Sequence, residues 1–471
     1  MSDLNFLSIS AMAEKVRRKK ISPVEVVESH LAQIERVDPQ LNAFVHLDAE
    51  RARGAARKAE ALLHKKQLSG PLQGVPLSIK GSISVTGLRW EAGSKLRAGQ
   101  VAEQDAPLVA RLRKAGAIIL GVTNTPEFLM AWETDNLLYG RTNNPWDLAR
   151  TAGGSSGGEA AAIASGCSAG GVGSDGGGSI RVPAHFCGTC GLKPTPGRIP
   201  ATGHFPEGLG PFAVLGVVGP MARTVADLRI LFEVMQGSDG GDASSAPVPV
   251  RWPSPGAVRK TRIGYFEDDG RIPVTAEIRK AVQTAAKALS RAGFRVEPFR
   301  PEGLNETREL WWKLFGIAGG MMLSPAIKGR EPDISPQLEQ FLSWVAAEPR
   351  HSGESLLDTW IQSDVIRNKV FAQMRDYPIL ICPAAAVPAF RHGERRWTID
   401  GQVVKYLDAW SYTEWFNLLG TPAVSVPVSQ SREGLPIGVQ ISGLPWQDEL
   451  VLEIAAAFER ECGGWRKPPV A

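Results

Sequence analysis

Short apolar runs alternate with helical patterns from Gly74 onward, and this alternation restricts the fold more than any other feature of the sequence. The short runs predict strands, and the longer stretches between them carry apolar residues at helical spacing. Strands separated by helices favour a parallel or mixed sheet that is covered on both faces. The sequence therefore predicts a single large α/β domain, a twisted mixed β-sheet flanked by helices on both faces. Strands are expected at residues 75–79, 117–122, 262–266, 377–381 and 423–428, and helices at 106–115, 224–235 and 276–292.

The first 66 residues have a different pattern, which predicts a helical layer. Ser22 and Glu25 form a capping box around Pro23, so a helix begins at Ser22. A second helix, rich in alanine and charge, is expected at residues 48–66. We therefore divide the chain into an N-terminal helical layer, residues 1–66, and an α/β domain, residues 67–471. The Pro-, Ser- and Gly-rich stretch at 237–255 predicts a surface loop.

The composition excludes several classes of protein. Hydrophobic residues make up 43% and charged residues 22% of the chain, which excludes a disordered chain and a coiled coil. The net charge of +4 is too small for a nucleic-acid footprint, and the basic run from Lys15 to Lys20 predicts a solvated helix face. Residues 1–10 carry no signal-peptide pattern. The sequence also lacks an uninterrupted apolar stretch of about 18 residues, the length that a membrane anchor needs. The odd number of cysteines, 5, favours free thiols and a cytoplasmic location.

Glycine is concentrated between residues 153 and 178, where three short patterns compete. The G-x-S-x-G pattern around Ser156 is typical of a nucleophile elbow, but residues 143–147 before it read as a turn rather than the strand an elbow needs. The G-x-G-x-x-G pattern from Gly171 to Gly176 keeps a nucleotide-binding protein as an alternative, although no acidic residue follows about twenty positions on. Cys187 and Cys190 could be half of a zinc site, but with the other cysteines isolated we expect ordinary buried thiols and no metal.

Taken together, the glycine-rich motifs are far more specific than each is alone. Gly153–Gly158 is followed by Ser179 and Arg181, and Gly74–Lys80 lies upstream. This ordered set resembles the amidase signature family. The stretch from Glu133 to Pro145 is most similar to the fatty acid amide hydrolase-like and bacterial amidase branch, and less similar to the amidotransferase A-subunits.

The resemblance implies a serine hydrolase that cleaves amide-type C–N bonds through an acyl-enzyme. It assigns a Ser-cis-Ser-Lys triad, in which Ser179 attacks, Ser155 relays the proton and Lys80 is the base. The substrate would be a small-molecule amide, anilide or carbamate, and in some relatives an ester, with hydrophobic or aryl groups. No cofactor or metal is implied, and the protein would be a monomer or homodimer. An amidotransferase A-subunit-like glutaminase is the alternative within the enzymes.

The chemistry explains why such residues are needed. A lysine base must be neutral, and burial among apolar neighbours such as Val75, Leu77 and Ile79 lowers a lysine pKa. Because glycine lets successive backbone N–H groups turn toward one point, Gly176, Gly177, Gly178 and Ser179 are the expected oxyanion hole. No sequence signature ties His185 or His204 to a serine. Residues expected to brace the loops are Ser156, Asp175 and Arg181.

The segment at residues 303–398 is where the resemblance places a variable substrate channel. Its aromatic and methionine cluster is either plain core or the wall of an acyl-binding channel. The chain departs from many relatives in two places, with Gly81 in place of an aspartate and Gly176 in place of a larger residue. Candidate channel residues are Trp311, Trp312, Phe315, Met321 and Met322.

Overall fold

An eleven-stranded mixed sheet forms the centre of the molecule in the computed structural model, which describes residues 4–67 and 70–471. The strands run in the order β1-β3-β2-β6-β8-β7-β14-β15-β11-β9-β10, and β4–β5 and β12–β13 form two small hairpins. The strands are β1 Phe44–Leu47, β2 Pro76–Lys80, β3 Ile118–Thr123, β4 Asn143–Asn144, β5 Asp147–Thr151, β6 Gly170–Asp175, β7 Cys190–Lys193, β8 Val217–Ala222, β9 Arg262–Tyr265, β10 Arg295–Pro298, β11 Ile379–Pro383, β12 Arg396–Ile399, β13 Gln402–Lys405, β14 Ala423–Gln430 and β15 Pro436–Gly443.

Helices connect the strands and cover the sheet. The α-helices are α1 Ile9–Arg17, α2 Pro23–Leu41, α3 Ala49–His64, α4 Pro107–Lys114, α5 Gly157–Ala164, α6 Arg181–Cys187, α7 Pro211–Leu215, α8 Val225–Met235, α9 Pro255–Arg259, α10 Ala276–Arg291, α11 Leu304–Trp311, α12 Gly319–Ile327, α13 Pro336–Ala346, α14 Gly353–Met374, α15 Ser411–Leu418 and α16 Asp448–Cys462. A π-helical segment, Trp312–Ala318, joins α11 to α12. Short 3₁₀ turns lie at Leu4–Phe6, Lys95–Arg97, Glu127–Leu129, Glu331–Asp333 and Asp408–Trp410.

Alternate residues of one strand show that both faces of the sheet are covered. Ile119 packs into a large core that contains residues of α4, α8, α10 and α16. Its neighbours Ile118 and Leu120 point the other way, into a second core with residues of α2, α3 and α5. Successive side chains of a strand point to opposite faces, so helices lie on both sides. The predicted α/β fold is confirmed.

The N-terminal region begins as the sequence predicts. Ser22 caps α2, and the reciprocal bond with Glu25 completes the capping box. Within residues 1–66, β1 follows α2 and pairs antiparallel with β3, so this region adds a strand to the sheet as well as helices. The predicted loop at 237–255 has neither helix nor strand between α8 and α9 in the described chain. All but residues 1–3 of the N-terminal layer and 68–69 of the α/β domain lie within the described residues.

Part of the glycine-rich stretch forms a central strand of the sheet rather than a loop. Gly171 and its neighbours form β6, which pairs in parallel with β2 and antiparallel with β8. A dinucleotide-binding turn would have to lie between a strand and a helix, so the nucleotide-binding alternative is wrong. A Cβ on Gly171 would lie 1.9 Å from Glu159 Oε1, so glycine permits the close approach of α5 to β6. Residues 143–147, read as a turn, belong to the β4–β5 hairpin.

Candidate active site

The candidate catalytic residues meet at the carboxyl ends of β2 and β6. Lys80 is the last residue of β2, and Asp175 is the last residue of β6. These two strands are parallel neighbours, so their carboxyl ends lie side by side, the usual place for a site in an α/β sheet. Ser155 lies just before α5, and Ser179 lies just before α6. Sheet order therefore brings together three residues that are distant in the sequence.

Lys80 is fully buried and bonded to hydroxyl groups rather than to a carboxylate. Its Nζ lies 2.7 Å from Ser155 Oγ, 2.9 Å from Ser174 Oγ and 3.4 Å from Ser174 O. Burial lowers the pKa of Lys80 well below its ordinary value, and the charges of Asp175 and Glu159 offset only part of this effect. The arrangement favours a neutral amine at this position.

Both candidate serines line one cavity. Ser155 is buried and follows a cis peptide bond from Gly154, whereas Ser179 is partly exposed. The cavity between them has a volume of about 60 Å³. Ser156 does not line it, because its Oγ bonds to Ser174 O and accepts from Ser174 N, each at 3.3 Å. Its own N–H donates to Ser179 O at 3.1 Å, so Ser156 ties α5 to the Ser179 loop.

The loop from Gly176 to Ser179 offers free backbone donors. The N–H of Gly178 donates to Asp175 Oδ1 at 2.8 Å and is therefore occupied. Within the described chain, the N–H groups of Gly176, Gly177 and Ser179 have no protein acceptor. Three of the four predicted oxyanion donors are thus unoccupied, and the fourth fixes the shape of the loop.

Side chains from distant segments hold the carbonyls of this loop. Trp311 Nε1 donates to Gly176 O at 2.7 Å. Trp132 Nε1 and Thr413 Oγ1 donate to Gly177 O at 2.8 and 3.0 Å. Because each peptide plane is fixed through its carbonyl, the orientation of the following N–H is fixed as well. Sequence reasoning missed Trp132 and Thr413, and no local pattern marks them, since each lies far from the loop along the chain.

Asp175 and Arg181 form a buried ion pair that holds the loop from Gly176 to Ser179. Arg181 Nε and Nη2 donate to the two Asp175 oxygens at 3.0 and 2.9 Å, and both side chains are fully buried. Burial is the largest single effect and would raise the pKa of Asp175, but the charge and hydrogen bonds of Arg181, the Lys193 charge and the Gly178 N–H together hold the pKa well below its usual range. Arg181 also donates to Gln440 Oε1 and Asn417 Oδ1, at 2.9 and 2.6 Å. All three guanidinium nitrogens are therefore engaged in positioning.

Glu159 is a second buried carboxyl group near the lysine. It accepts from Ser78 Oγ at 2.5 Å and from Thr123 Oγ1 at 2.8 Å. Burial raises its pKa to about 8, although these bonds and Lys80 act in the opposite direction. Sequence reasoning missed Glu159, yet a signal existed, because a charged residue directly after Gly157 and Gly158 stands at the start of an otherwise apolar helix.

The histidines near the motifs do not contact the serines of the site. The N–H of Gly438 donates to His185 Nδ1 at 2.7 Å, and His185 Nε2 lies 3.3 Å from Val387 O. His204 lines the cavity, but its Nδ1 lies 2.8 Å from Pro206 O and its Nε2 lies 3.3 Å from Ser82 Oγ. Burial lowers the pKa of both histidines to about 4.

The candidate channel residues occupy different places. Phe315 lines the same cavity as Ser155 and Ser179, which we call the catalytic cavity after these candidate residues. Trp311, which is fully buried, and Trp312 line a second, larger cavity of about 970 Å³. Met321 and Met322 are 40% and 39% exposed and lie outside the set that lines either cavity.

Comparison with known proteins decides the family. A family model described as Amidase matches residues 25–452. The chain belongs to the amidase signature family. It is 34% identical to an acylamidase from Rhodococcus erythropolis, over 97% of this chain and 96% of the relative. It is also 33% identical to the glutamyl-tRNA(Gln) amidotransferase A-subunit from Chloroflexus aggregans, over 98% and 97% of the two chains. A solved bacterial aryl acylamidase of the amidase signature family superposes with a TM-score of 0.87 at 29% identity, covering 98% of this chain and 97% of that one.

This amidase signature protein is an amide-cleaving hydrolase, and the family predicted from the glycine-rich motifs is confirmed. Among residues 4–67 and 70–471, no helix has both the length and the apolar character to cross a membrane. The same residues contain no group of three or more His, Cys, Asp or Glu side chains that could hold a metal ion. Cys187 and Cys190 are buried free thiols, as expected.

Proposed function

We propose that this amidase signature protein hydrolyses neutral amides with small apolar or aryl acyl groups, through an acyl-enzyme on Ser179. The observation that carries the proposal is the 2.7 Å contact between Ser155 Oγ and a buried Lys80 Nζ. A neutral amine has two N–H donors and one lone pair. Ser174 offers two acceptors, Oγ and O, and so leaves the lone pair free for the Ser155 hydroxyl.

The proposed proton relay runs from Ser179 through Ser155 to Lys80. Ser155 donates its proton to Lys80 and takes the proton of Ser179, whose oxygen then attacks the amide carbonyl. As the C–N bond breaks, the relay reverses and the leaving nitrogen receives the proton, which gives the free amine. Water then attacks the ester of Ser179 by the same relay, and a carboxylic acid is released.

Charge on the carbonyl oxygen is stabilised by the loop that precedes Ser179. The unoccupied N–H groups of Gly176, Gly177 and Ser179 are the donors for the developing oxyanion. Each such donor contributes roughly a hundredfold or more in rate in enzymes of this type. The Trp311 bond to Gly176 O supports this role because it fixes the peptide plane that carries the Gly177 N–H before the substrate binds. Trp132 and Thr413 fix the next plane, whose Gly178 N–H holds the loop through Asp175.

The lining of the cavity favours neutral substrates over glutamine. Among the described residues that line it, Asp175 is the only one that carries a charge, and Arg181 occupies that carboxylate. His204, with its pKa lowered to about 4, is uncharged at neutral pH. An amino acid substrate needs a partner for its ammonium and carboxylate groups, because unpaired buried charges are costly. The apolar walls, which include Met130, Phe212 and Phe315, suit an alkyl or aryl acyl group.

Activity profiling with active-site labelling tests the proposal. The purified chain is assayed on acyl anilides, primary amides, aryl carbamates, esters and glutamine, and is then labelled with a fluorophosphonate. We expect anilide or amide hydrolysis, an adduct on Ser179, and loss of both in Ser179→Ala. Ser156→Ala is the matched control for labelling and should keep the adduct. An adduct on Ser156, or turnover of glutamine alone, would overturn the proposal.

A further inference from the structure

Two aromatic rings separate the catalytic cavity from the larger one. Phe315 lines the catalytic cavity, and Trp311 lines the other. Their rings are stacked, with centroids 4.9 Å apart and an interplanar angle of 11°. We call this pair the aromatic partition. It belongs to the end of α11 and the π-helical segment that follows.

The edges of the partition press against the oxyanion loop. A Cβ on Gly176 would lie 2.4 Å from Phe315 Cε2, and a Cβ on Gly177 would lie 2.5 Å from Trp311 Cζ2. The Phe315 ring thus occupies the space that a side chain at position 176 would fill. Part of the pocket wall beside Gly176 therefore comes from the 303–398 segment.

The two cavities differ greatly in size. The catalytic cavity, at about 60 Å³, is far below the roughly 300–1,000 Å³ of a typical ligand pocket, whereas the second cavity has about 970 Å³. Phe315 is held on its other side by Phe212, at 5.3 Å between centroids. The Phe315 ring therefore packs between Trp311, Phe212 and Gly176. It closes the side of the catalytic cavity that faces the larger cavity.

From this arrangement we infer that Phe315 limits the size of the acyl group, so that short acyl amides are the preferred substrates of the proposed reaction. Removing the ring extends the catalytic cavity as far as the Trp311 indole, so that a longer acyl chain can lie against this indole at the edge of the larger cavity. The inference rests on the proposed function only for its kinetic readout. The steric part concerns binding and is measured separately.

The kinetic test compares p-nitroanilides with acetyl, butyryl, hexanoyl and octanoyl groups. Phe315→Ala should raise the octanoyl-to-acetyl ratio of kcat/KM at least tenfold, and Phe315→Leu less. The ratio cancels any general loss caused by a looser oxyanion loop. Phe341→Ala is the matched control, because this buried ring packs edge-on against Trp312 at 6.0 Å and lines neither cavity. Its ratio should stay within twofold of the wild type.

A binding measurement separates the inference from the proposed function. The binding of acetanilide and octananilide is measured by calorimetry in a Ser179→Ala background. Phe315→Ala should lower the Kd of octananilide at least tenfold relative to the Kd of acetanilide. If no variant turns over any amide but this shift appears, the proposed function fails and the size limit stands. Unchanged kinetic and binding ratios in folded Phe315→Ala and Phe315→Leu would overturn the inference. Should Phe315→Ala not fold, Phe315→Leu alone decides.

Discussion

Gly176→Ala gives the sharpest test of how the pocket wall and the oxyanion loop share space. The φ angle at Gly176 lies outside the left-handed region, so the backbone itself accepts alanine. The new methyl carbon would lie 2.4 Å from Phe315 Cε2, whereas carbon atoms in contact sit at about 3.5–4.0 Å. The ring must therefore move by more than about 1 Å, against Trp311 and Phe212.

The size of the effect follows from this overlap. Forcing an extra methyl group into a packed site costs about 1–3 kcal/mol. If that strain displaces the oxyanion donors, kcat/KM falls by about 5- to 150-fold, since each 1.4 kcal/mol is about a factor of ten. The assay is kcat/KM on a short acyl anilide together with the melting temperature.

A second substitution and a control complete the experiment. Phe315→Leu in the Gly176→Ala background should restore most of the lost kcat/KM, because leucine has no atom at the position of Phe315 Cε2, where the new methyl group lies. Gly54→Ala has nothing within 4 Å and should leave kcat/KM unchanged. The reasoning is refuted if Gly176→Ala is as active and stable as the wild type. It is also refuted if the double variant is no better than the single one.

Three further outcomes follow from the site. In the proposed relay Lys80 is a neutral base with a lowered pKa, so kcat/KM should rise with pH and level off well below 10.5, and Lys80→Ala should remove that titration. A flat pH profile for the wild type would contradict the base assignment. Asp175→Asn leaves Arg181 buried without its counter-charge and should cost about 3–5 kcal/mol in denaturant unfolding, so an unchanged midpoint would rule out the bracing role. Trp132→Phe keeps the ring but loses the donor to Gly177 O, so kcat should fall with little change in KM, and an equal change in both would indicate a binding role instead.

The residues that meet at the candidate site could be predicted because their signals are local. Apolar residues before Lys80 predict a strand at 75–79, which the structure gives as Pro76–Lys80, with the lysine at its end. Strands and helices with strong periodicity, such as Ala276–Arg291, lie within a few residues of their predicted bounds. Capping chemistry at Ser22 is equally local and is confirmed.

The parts that could not be predicted depend on long-range packing. The strand Gly170–Asp175 could not be predicted because its glycines lack the apolar side chains that mark a strand. Gly171 and Gly173 leave space for the side chains of Glu159 and Met221. Thr413 is 236 positions from the carbonyl it anchors, and nothing around it distinguishes it from any helix residue. The division at residue 66 stays a prediction, and the roles of the triad are tested by the Ser179→Ala and Lys80→Ala experiments above.

The indole bond from Trp311 to Gly176 O has a consequence for engineering this enzyme. The 303–398 segment is the natural place to exchange sequence when a new substrate range is wanted. That segment also supplies one of the anchors of the oxyanion loop, so a transplanted segment changes rate and selectivity together. A chimera that keeps an N–H donor at position 311 should retain turnover with its new preference, whereas one without it should bind the new substrate and convert it slowly.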